Sequence, residues 1–353
     1  MKRKSSLYVY SYQQRYRRQT LIAATKMPGL TFPPATCARL TPGPYLRAHL
    51  EQQPSTRPSG RSPEDFRQPT VNTGSLTHSN GSAVVRVGDT AVVCGVRGEL
   101  LLSEDVPNPP KQENANEDVV EELGLLVPNV ELSTGCSPAH LPGNPPSTQA
   151  QALSYRVHSL LHTSRLVDIK DLLISYTAPR TDEDDVDEEP ETVIKGYWTL
   201  YVDILCMSLD GNAFDAVWGA VVAALQNTQL PKAWWDADRE AIVCSPIPAE
   251  AHKLDLSCMP IASTFAVFST ATPLKQKSEA QSWVLADPDG FEETVCSESL
   301  TVVVSPAGGR GQAGRVLKVE KAGGGVIGKK LMKRCVEMTE NRWSGWELAL
   351  RAG

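Results

Sequence analysis

No stretch of this sequence has the roughly 18 to 20 consecutive apolar residues that a membrane-spanning helix needs. The most apolar run, Ala213 to Leu225, is too short and is interrupted by Asp215, so no membrane partner is expected. Cysteine pairs at C-x-x-C spacing are also missing. The eight cysteines (Cys37, Cys94, Cys136, Cys206, Cys244, Cys258, Cys296 and Cys335) are scattered, and Cys94 and Cys206 sit inside apolar runs. That pattern excludes a disulfide framework or a zinc site and fits buried thiols in a reducing compartment. Histidine is scarce: His158 and His162 have an i, i+4 spacing that a metal could use, but no carboxylate or third histidine accompanies them, so no metal and no cofactor is expected.

What is present is enough for a large core. At 353 residues with 41% hydrophobic composition, the chain can form two packed domains. The formal charge of −6 is unevenly spread. Lys2, Arg3, Lys4, Arg15, Arg17, Arg18 and Lys26 precede any acid, whereas acids cluster from Asp182 to Glu191. The acid-free start has the composition of a mitochondrial presequence, with Met27 as an alternative start. Its lack of periodicity and its prolines Pro28, Pro33, Pro34 and Pro42 read instead as a flexible basic extension over residues 1–43.

Order is expected from Pro44, with a short helix over Tyr45–Gln52. Thr70–Leu76, Ser82–Val87 and Thr90–Arg97 alternate as strands; Asn80-Gly81 and Gly88-Asp89 between them read as turns of an antiparallel meander. Two acidic insertions, about 104–122 and 178–193, are too charged to bury and read as solvated loops. Leu125–Leu132 and Gly196–Leu205 are strands, Gln149–Leu166 is an amphipathic helix, and Ala213–Leu225 is a helix buried on more than one side. Strands near 241–244, 263–269, 282–286, 301–305 and 316–321, then a helix over about 326–341, repeat the sheet-then-helix order. The division is therefore an N-terminal lobe, 44–230, and a C-terminal lobe, 231–353, ending in a helix.

Two glycine loops resemble nucleotide motifs. Gly309-Arg310-Gly311-Gln312-Ala313-Gly314 has G-x-G-x-x-G spacing but is followed by a strand, not the helix that dinucleotide binding requires. Gly323 to Lys330 completes G-x-x-x-x-G-K between a strand and a helix. Lys330 stands where a Ser or Thr hydroxyl would hold magnesium, which argues against a working P-loop.

The run Arg57-Pro58-Ser59-Gly60-Arg61, then Phe66-Arg67, then Gly81 to Val96 (GSAVVRVGDTAVVCGV), resembles the opening of RNase PH-family proteins. Further similar stretches are Tyr201-Val202-Asp203-Ile204-Leu205, Leu209-Asp210-Gly211-Asn212 with Asp215-Ala216, Pro260-Ile261-Ala262, and Leu285 to Gly290 with Glu292-Glu293. The resemblance spans roughly Tyr45 to Met338. It implies an α+β / α/β fold of two similar βαβα-type lobes, ribosomal protein S5 domain 2-like, with antiparallel-rich mixed sheets and packed helices. Within that family the likeness is to non-catalytic ring subunits of the eukaryotic RNA exosome. The implied partners are other RNase PH-like ring subunits (a heterodimer within a six-subunit ring), S1/KH-domain cap proteins, an associated 3′ to 5′ nuclease and single-stranded RNA. The implied residence is nucleus, nucleolus and cytoplasm.

Phosphorolysis needs amides, a hydroxyl and an arginine around the attacking phosphate, plus carboxylates for a metal or proton. Catalytic relatives are implied to supply part of this from a Gly-Ser/Thr-Arg turn before the buried helix. Asp210, Gly211 and Asn212 stand there and offer an acid in place of the arginine. Leu256-Ser257-Cys258-Met259 replaces the acids expected ahead of Pro260, with Asp255 the nearest candidate, so no catalytic residue is assigned. Glu292 and Glu293 read as a solvated loop face. Arg57, Arg61, Arg67 and Arg97 are the candidate contacts for RNA phosphates. A phosphate-dependent exoribonuclease of the same fold is the alternative, and a P-loop protein a distant third.

Overall fold

The computed structural model describes residues 32–107, 118–138, 140–141, 147–177, 192–270, 281–305, 314–325 and 327–352. Two short helices open it, α1 (Pro34–Leu40) and α2 (Pro42–Leu50), each begun by a proline whose missing N–H costs nothing in a first turn. Helix α1 buries none of its residues, whereas α2 seats Leu46 and Leu50 against Ala266, Phe268 and Leu285. Helical structure thus begins at Pro34, inside the segment read as extension; residues 1–31 lie outside the described residues.

Strands β1 (Pro69–Thr73), β2 (Gly81–Val87) and β3 (Thr90–Leu102) form the expected antiparallel meander. Gly88, with φ +61°, makes the tight β2–β3 turn. Asn80-Gly81, however, is not a turn. Thr73 pairs with Ala83, leaving a wide loop between β1 and β2. The Asn80 side chain donates to the Gln229 carbonyl at 3.2 Å and accepts from the Gly98 amide at 2.9 Å. A Cβ on Gly81 would lie 2.6 Å from the Ala224 carbonyl oxygen. The pair is there for close packing on the β3 and α5 segments of the same chain, and tertiary contact overrides its local turn signal.

The chain continues through α3 (Asp118–Glu122), β4 (Leu126–Leu132), α4 (Thr148–Ser164), β5 (Leu173–Thr177) and the long β6 (Thr192–Ser208). Strand β6 pairs antiparallel with β3 on one edge, and on the other with β4 in parallel and β5 antiparallel, giving a six-stranded sheet. Helix α4 starts on Ser147, whose hydroxyl accepts the Ala150 amide. Of the acidic insertions, 108–117 and 178–191 lie outside the described residues.

Next come α5 (Ala213–Asn227), the small ribbon strands β7 (Gln229–Leu230), β8 (Ala233–Asp236), β9 (Ala241–Cys244) and β10 (His252–Lys253), and then β11 (Ile261–Ser269). The last elements are β12 (Ser282–Ala286), α6 (Gly290–Val295), β13 (Glu298–Ser305), β14 (Arg315–Ala322) and α7 (Lys329–Ala352). Strands β12-β11-β13-β14 form a four-stranded antiparallel sheet. Helix α5 has no polar face: every residue from Ala213 to Leu225 is buried. It lies against β2, β3 and β11, and α7 lies against β1, β11 and β13, so helices fill the space between the two sheets. One hydrophobic cluster runs from Val71 through α5 to Val303 and Trp346. Helix α7 extends past Asn341 to Ala352, since Trp343, Trp346 and Leu350 continue its apolar spacing onto the core and Arg342 is buried with them.

Candidate functional site

The turn from β6 into α5 holds Asp210, Gly211 and Asn212, with Asn212 lining a cleft. Gly211 (φ +70°) and Asn212 (φ +48°) both take the left-handed conformation, and a Cβ on Gly211 would lie 2.6 Å from the Gly290 amide nitrogen. Two amides of the turn are already used. That of Asp210 donates to Thr90 Oγ1 at 3.0 Å, and that of Asn212 donates to Glu293 Oε1 at 2.8 Å. Asp210 itself accepts from the Gly290 amide at 3.2 Å through Oδ1 and faces Arg67 Nη1 at 3.6 Å through Oδ2. The Asn212 side chain bridges Asp215 Oδ2 at 2.8 Å and Asp287 Oδ1 at 2.6 Å.

The acids that meet this turn come from the segment 287–293. Asp289 caps α6 by accepting the Glu292 amide, while Glu292 Oε2 accepts the Asp289 amide at 3.1 Å, a reciprocal capping box. This tucks Glu292 inside: it is 0% exposed and forms no solvated loop face, whereas Glu293 stays exposed while its Oε1 accepts the Asn212 amide. The signal was present as Asp289-x-x-Glu292 at a helix start. Burial raises the pKa of Glu292, against the opposing charge of Arg57. Burial also raises that of Glu293, against the Asn212 hydrogen bond. For Asp287 burial acts in the same upward direction, but the Arg67 hydrogen bonds and the charges of Arg342 and Arg67 outweigh it and hold its carboxyl below the usual range.

Three of the four arginines assigned to RNA are committed to these acids. Arg57 is 1% exposed; its Nη1 lies 3.1 Å from Glu292 Oε2, and it also donates to the carbonyls of Ser62, Asp65 and Asp287. It cannot reach a phosphate. Arg67 grips both Asp287 carboxylate oxygens at 2.8 Å and donates to the Asp210 carbonyl at 2.8 Å. Arg61 donates to the Asp287 carbonyl at 3.1 Å and lies 3.8 Å from Asp289 Oδ2. Arg97 stands apart on β3, largely exposed, over the Tyr201 ring and 3.2 Å from Glu99. The sequence offered them as phosphate contacts, each alone more readily a surface or ion-pair residue; which acids they pair with, 220 to 235 residues away, was invisible to it.

A fourth arginine had no sequence signal. Arg342, on α7, pairs with Asp215 Oδ2, donates to the Ala262 carbonyl at 3.0 Å, and lies over the Phe66 ring. Asp215 in turn accepts from Thr264 Oγ1 at 2.8 Å and from the Thr264 amide at 3.1 Å. Its position as the lone acid in an apolar helix was the available clue.

Beside the turn, Gln149, Arg156, Asn212, Thr264, Glu293 and Thr301 line a cleft of about 290 Å³. Arg156 stacks 3.9 Å from the centroid of Phe214, and donates to Glu320 at 2.9 Å and Thr301 at 2.9 Å. Asp255 is exposed, its amide bonded to Asp171 Oδ2. No group of three metal-ligating side chains occurs among the described residues. His158 and His162 stack with ring centroids 4.4 Å apart. The loop from Gly323 does join a strand to a helix, but β14 is the edge of an antiparallel sheet and the Glu298 carboxylate packs against Gly325, where a phosphate would have to approach. Most of the other glycine loop, 306–313, lies outside the described residues. Among the described residues no helix is long and apolar enough to cross a membrane.

Residues 65–231 match the model of the 3′ exoribonuclease family, domain 1. The chain is 32% identical to exosome complex component rrp43 of Schizosaccharomyces pombe, over 89% of this chain and 97% of the relative. It is 29% identical to exosome complex component Rrp42 of Methanopyrus kandleri, over 81% of this chain and 87% of that protein. Two solved structures share the fold. The Archaeoglobus fulgidus exosome with RNA bound to the active site has a TM-score of 0.59 at 23% identity, covering 88% of this chain and 97% of that one. An archaeal exosome core has a TM-score of 0.55 at 23% identity, covering 86% and 94%. A match at this identity along nearly the whole of both chains, joined to the motifs from Arg57 to Glu293 and the two-sheet architecture, places this protein in the RNase PH family.

Proposed function

We propose that this chain is a non-catalytic subunit of an RNA exosome ring, of the kind called ribosomal RNA-processing protein 43. It helps form a channel that guides RNA to a separate nuclease for 3′ to 5′ processing and decay, including rRNA maturation. The observation that carries this reading is the occupied turn: Glu293 takes the Asn212 amide at 2.8 Å, and Asp210 stands where catalytic relatives are implied to offer an arginine. A phosphate entering here meets two carboxylates, each repelling a unit charge by about 4 kcal/mol at 4 Å and an effective dielectric near 20. The Asp210 and Asn212 amides, which would help repay that cost, are bonded within the chain.

In this reading the lobes 44–230 and 231–353 share one core through α5 and act as a rigid block. Its neighbours are RNase PH-like chains in a six-subunit ring of three heterodimers, S1/KH-domain caps and a 3′ to 5′ nuclease, in nucleus, nucleolus and cytoplasm. Arg97 is the arginine of the original four that remains available for single-stranded RNA. The test is purification of the tagged full chain from its own cells, with identification of partners, and incubation of the chain with RNA and inorganic phosphate. Recovery of RNase PH-like and S1/KH proteins, with no nucleoside diphosphates released by the chain alone, is expected. A homo-oligomer that releases nucleoside diphosphates would make it a phosphorolytic enzyme.

A further inference from the structure

A patch of positive charge remains unused by anything above, in a chain whose formal net charge is −6. Strand β14 ends with Lys321 exposed, and α7 opens with Lys329, Lys330 and Lys333, all exposed, and no acid in its first turn. Lys329 and Lys333 are one helical turn apart and share a face. Lys321 donates to the Gly323 carbonyl at 2.8 Å, on the same loop. Lys329, Lys330 and Lys333 enter no ion pair among the described residues, whereas the adjacent Arg334 is paired with Glu64. Acids near this segment are Glu298, packed against Gly325, Glu64, paired with Arg334, and Glu337, one turn beyond Lys333 on α7.

For the isolated chain this is an unfavourable arrangement. The amide end of a helix carries a partial positive charge, and cations in its first turn oppose it. Lys329 and Lys330 in that turn, with Lys333 just beyond it, are a local cost that an external anion would relieve. The loop between them has a second unexplained property. Gly324 and Gly328 do not have positive φ, and a Cβ at either would meet nothing within 4 Å, so neither backbone strain nor internal packing calls for glycine. What glycine does at both is leave the main chain bare to a close approach. The sequence from Pro306 to Arg342 also contains no aromatic residue, so base stacking is not offered there.

We propose that Lys321, Lys329, Lys330 and Lys333, beside the bare backbone at Gly324 and Gly328, form a sequence-independent contact for the phosphate backbone of single-stranded RNA. Lysines act as point charges and suit such a contact, which is separate from the Asp210 turn. The choice of RNA over an acidic peptide rests on the exosome reading; the positive site itself does not.

The test is fluorescence anisotropy of a labelled oligouridylate titrated with the full chain through a salt series, for wild type, K329A/K330A/K333A and K329R/K330R/K333R. Each phosphate contact on a single strand adds about 0.7 to the slope of log affinity against log salt, so losing three lowers the slope by about 2. The arginine variant is expected to keep the wild-type slope. The alanine variant is expected to melt no lower than wild type, because the lysines it removes oppose the helix dipole. An unchanged slope in the alanine variant overturns the proposal. So does binding in which polyglutamate, but not RNA, depends on these lysines, which would make the patch a peptide site. Failure of the exosome reading has a different signature: ring proteins are not recovered with the tagged wild-type chain, whatever its RNA affinity.

Discussion

Replacing Arg57 by alanine tests whether the arginines of the opening motif hold the fold together. The Arg57 and Glu292 side chains are both 0% exposed, and their ion pair is 3.1 Å long. Removing one partner of a buried pair leaves an uncompensated charge and costs about 3–5 kcal/mol. Here the Glu292 carboxylate would be left with Oε1 already lacking a partner, and the carbonyls of Ser62 and Asp65 would lose a donor. For a chain of 353 residues, at about 2.1 cal/mol/K of unfolding entropy per residue, the loss is a fall in Tm of roughly 5 °C, measured by circular dichroism or scanning fluorimetry. The pH dependence has a definite sign. Burial already holds the Glu292 pKa above its ordinary 4.5, so the folded state binds the proton more tightly than the unfolded chain. Its contribution to stability is therefore present at low pH and lost as pH rises through the folded value. Without the opposing charge of Arg57 that value rises further, so the deficit of R57A is largest near neutrality and shrinks as pH falls towards 4.5. The double variant R57M/E292L, which removes both charges and keeps apolar volume, should recover most of the loss. A deficit under about 1 kcal/mol for R57A, or a double variant no more stable than the single one, would refute the reasoning.

Asp287 has the opposite sign: its folded pKa lies below its ordinary 3.8, so its contribution is present above that value and lost as pH falls through the folded one. Asp287→Asn should lower the urea midpoint at neutral pH and approach wild type as pH drops below about 3.8, and a pH-independent deficit would count against the Arg67 pairing as its cause. Gly219 on α5 lies under the Trp346 ring, which a Cβ would strike, so G219A should cost about 1–3 kcal/mol by overpacking. Thermal denaturation of G219A/W346L should then show part of that loss restored, and additive effects of the two changes would disprove direct contact.

The elements carried by local pattern were legible from residues alone. The Thr90–Arg97 strand, the Gly88-Asp89 turn, the Ser147-capped α4 and the all-apolar α5 each have a periodicity or a cap that does not depend on distant residues. Boundaries were less legible: β6 runs from Thr192 to Ser208 and α7 to Ala352, both beyond the expected ends, although Ile194 in the one and Trp343, Trp346 and Leu350 in the other carried the apolar pattern on. The Asp210–Asn212 turn was found by resemblance, and its loss of an arginine was readable as a residue identity.

What the sequence determined by itself is therefore the set of elements, the family through its spaced motifs, and the identity of the residues at the turn. What only the tertiary structure decided is what those residues meet. Arg57, Arg61 and Arg67 pair with Asp287 and Glu292, Glu293 accepts the Asn212 amide, and Arg342 closes on Asp215 from the far end of the chain. The physical reason is that a charge in a sequence has no address: whether it is solvated or buried depends on a counter-charge that folding brings from more than a hundred residues away, and local propensity carries no trace of that partner.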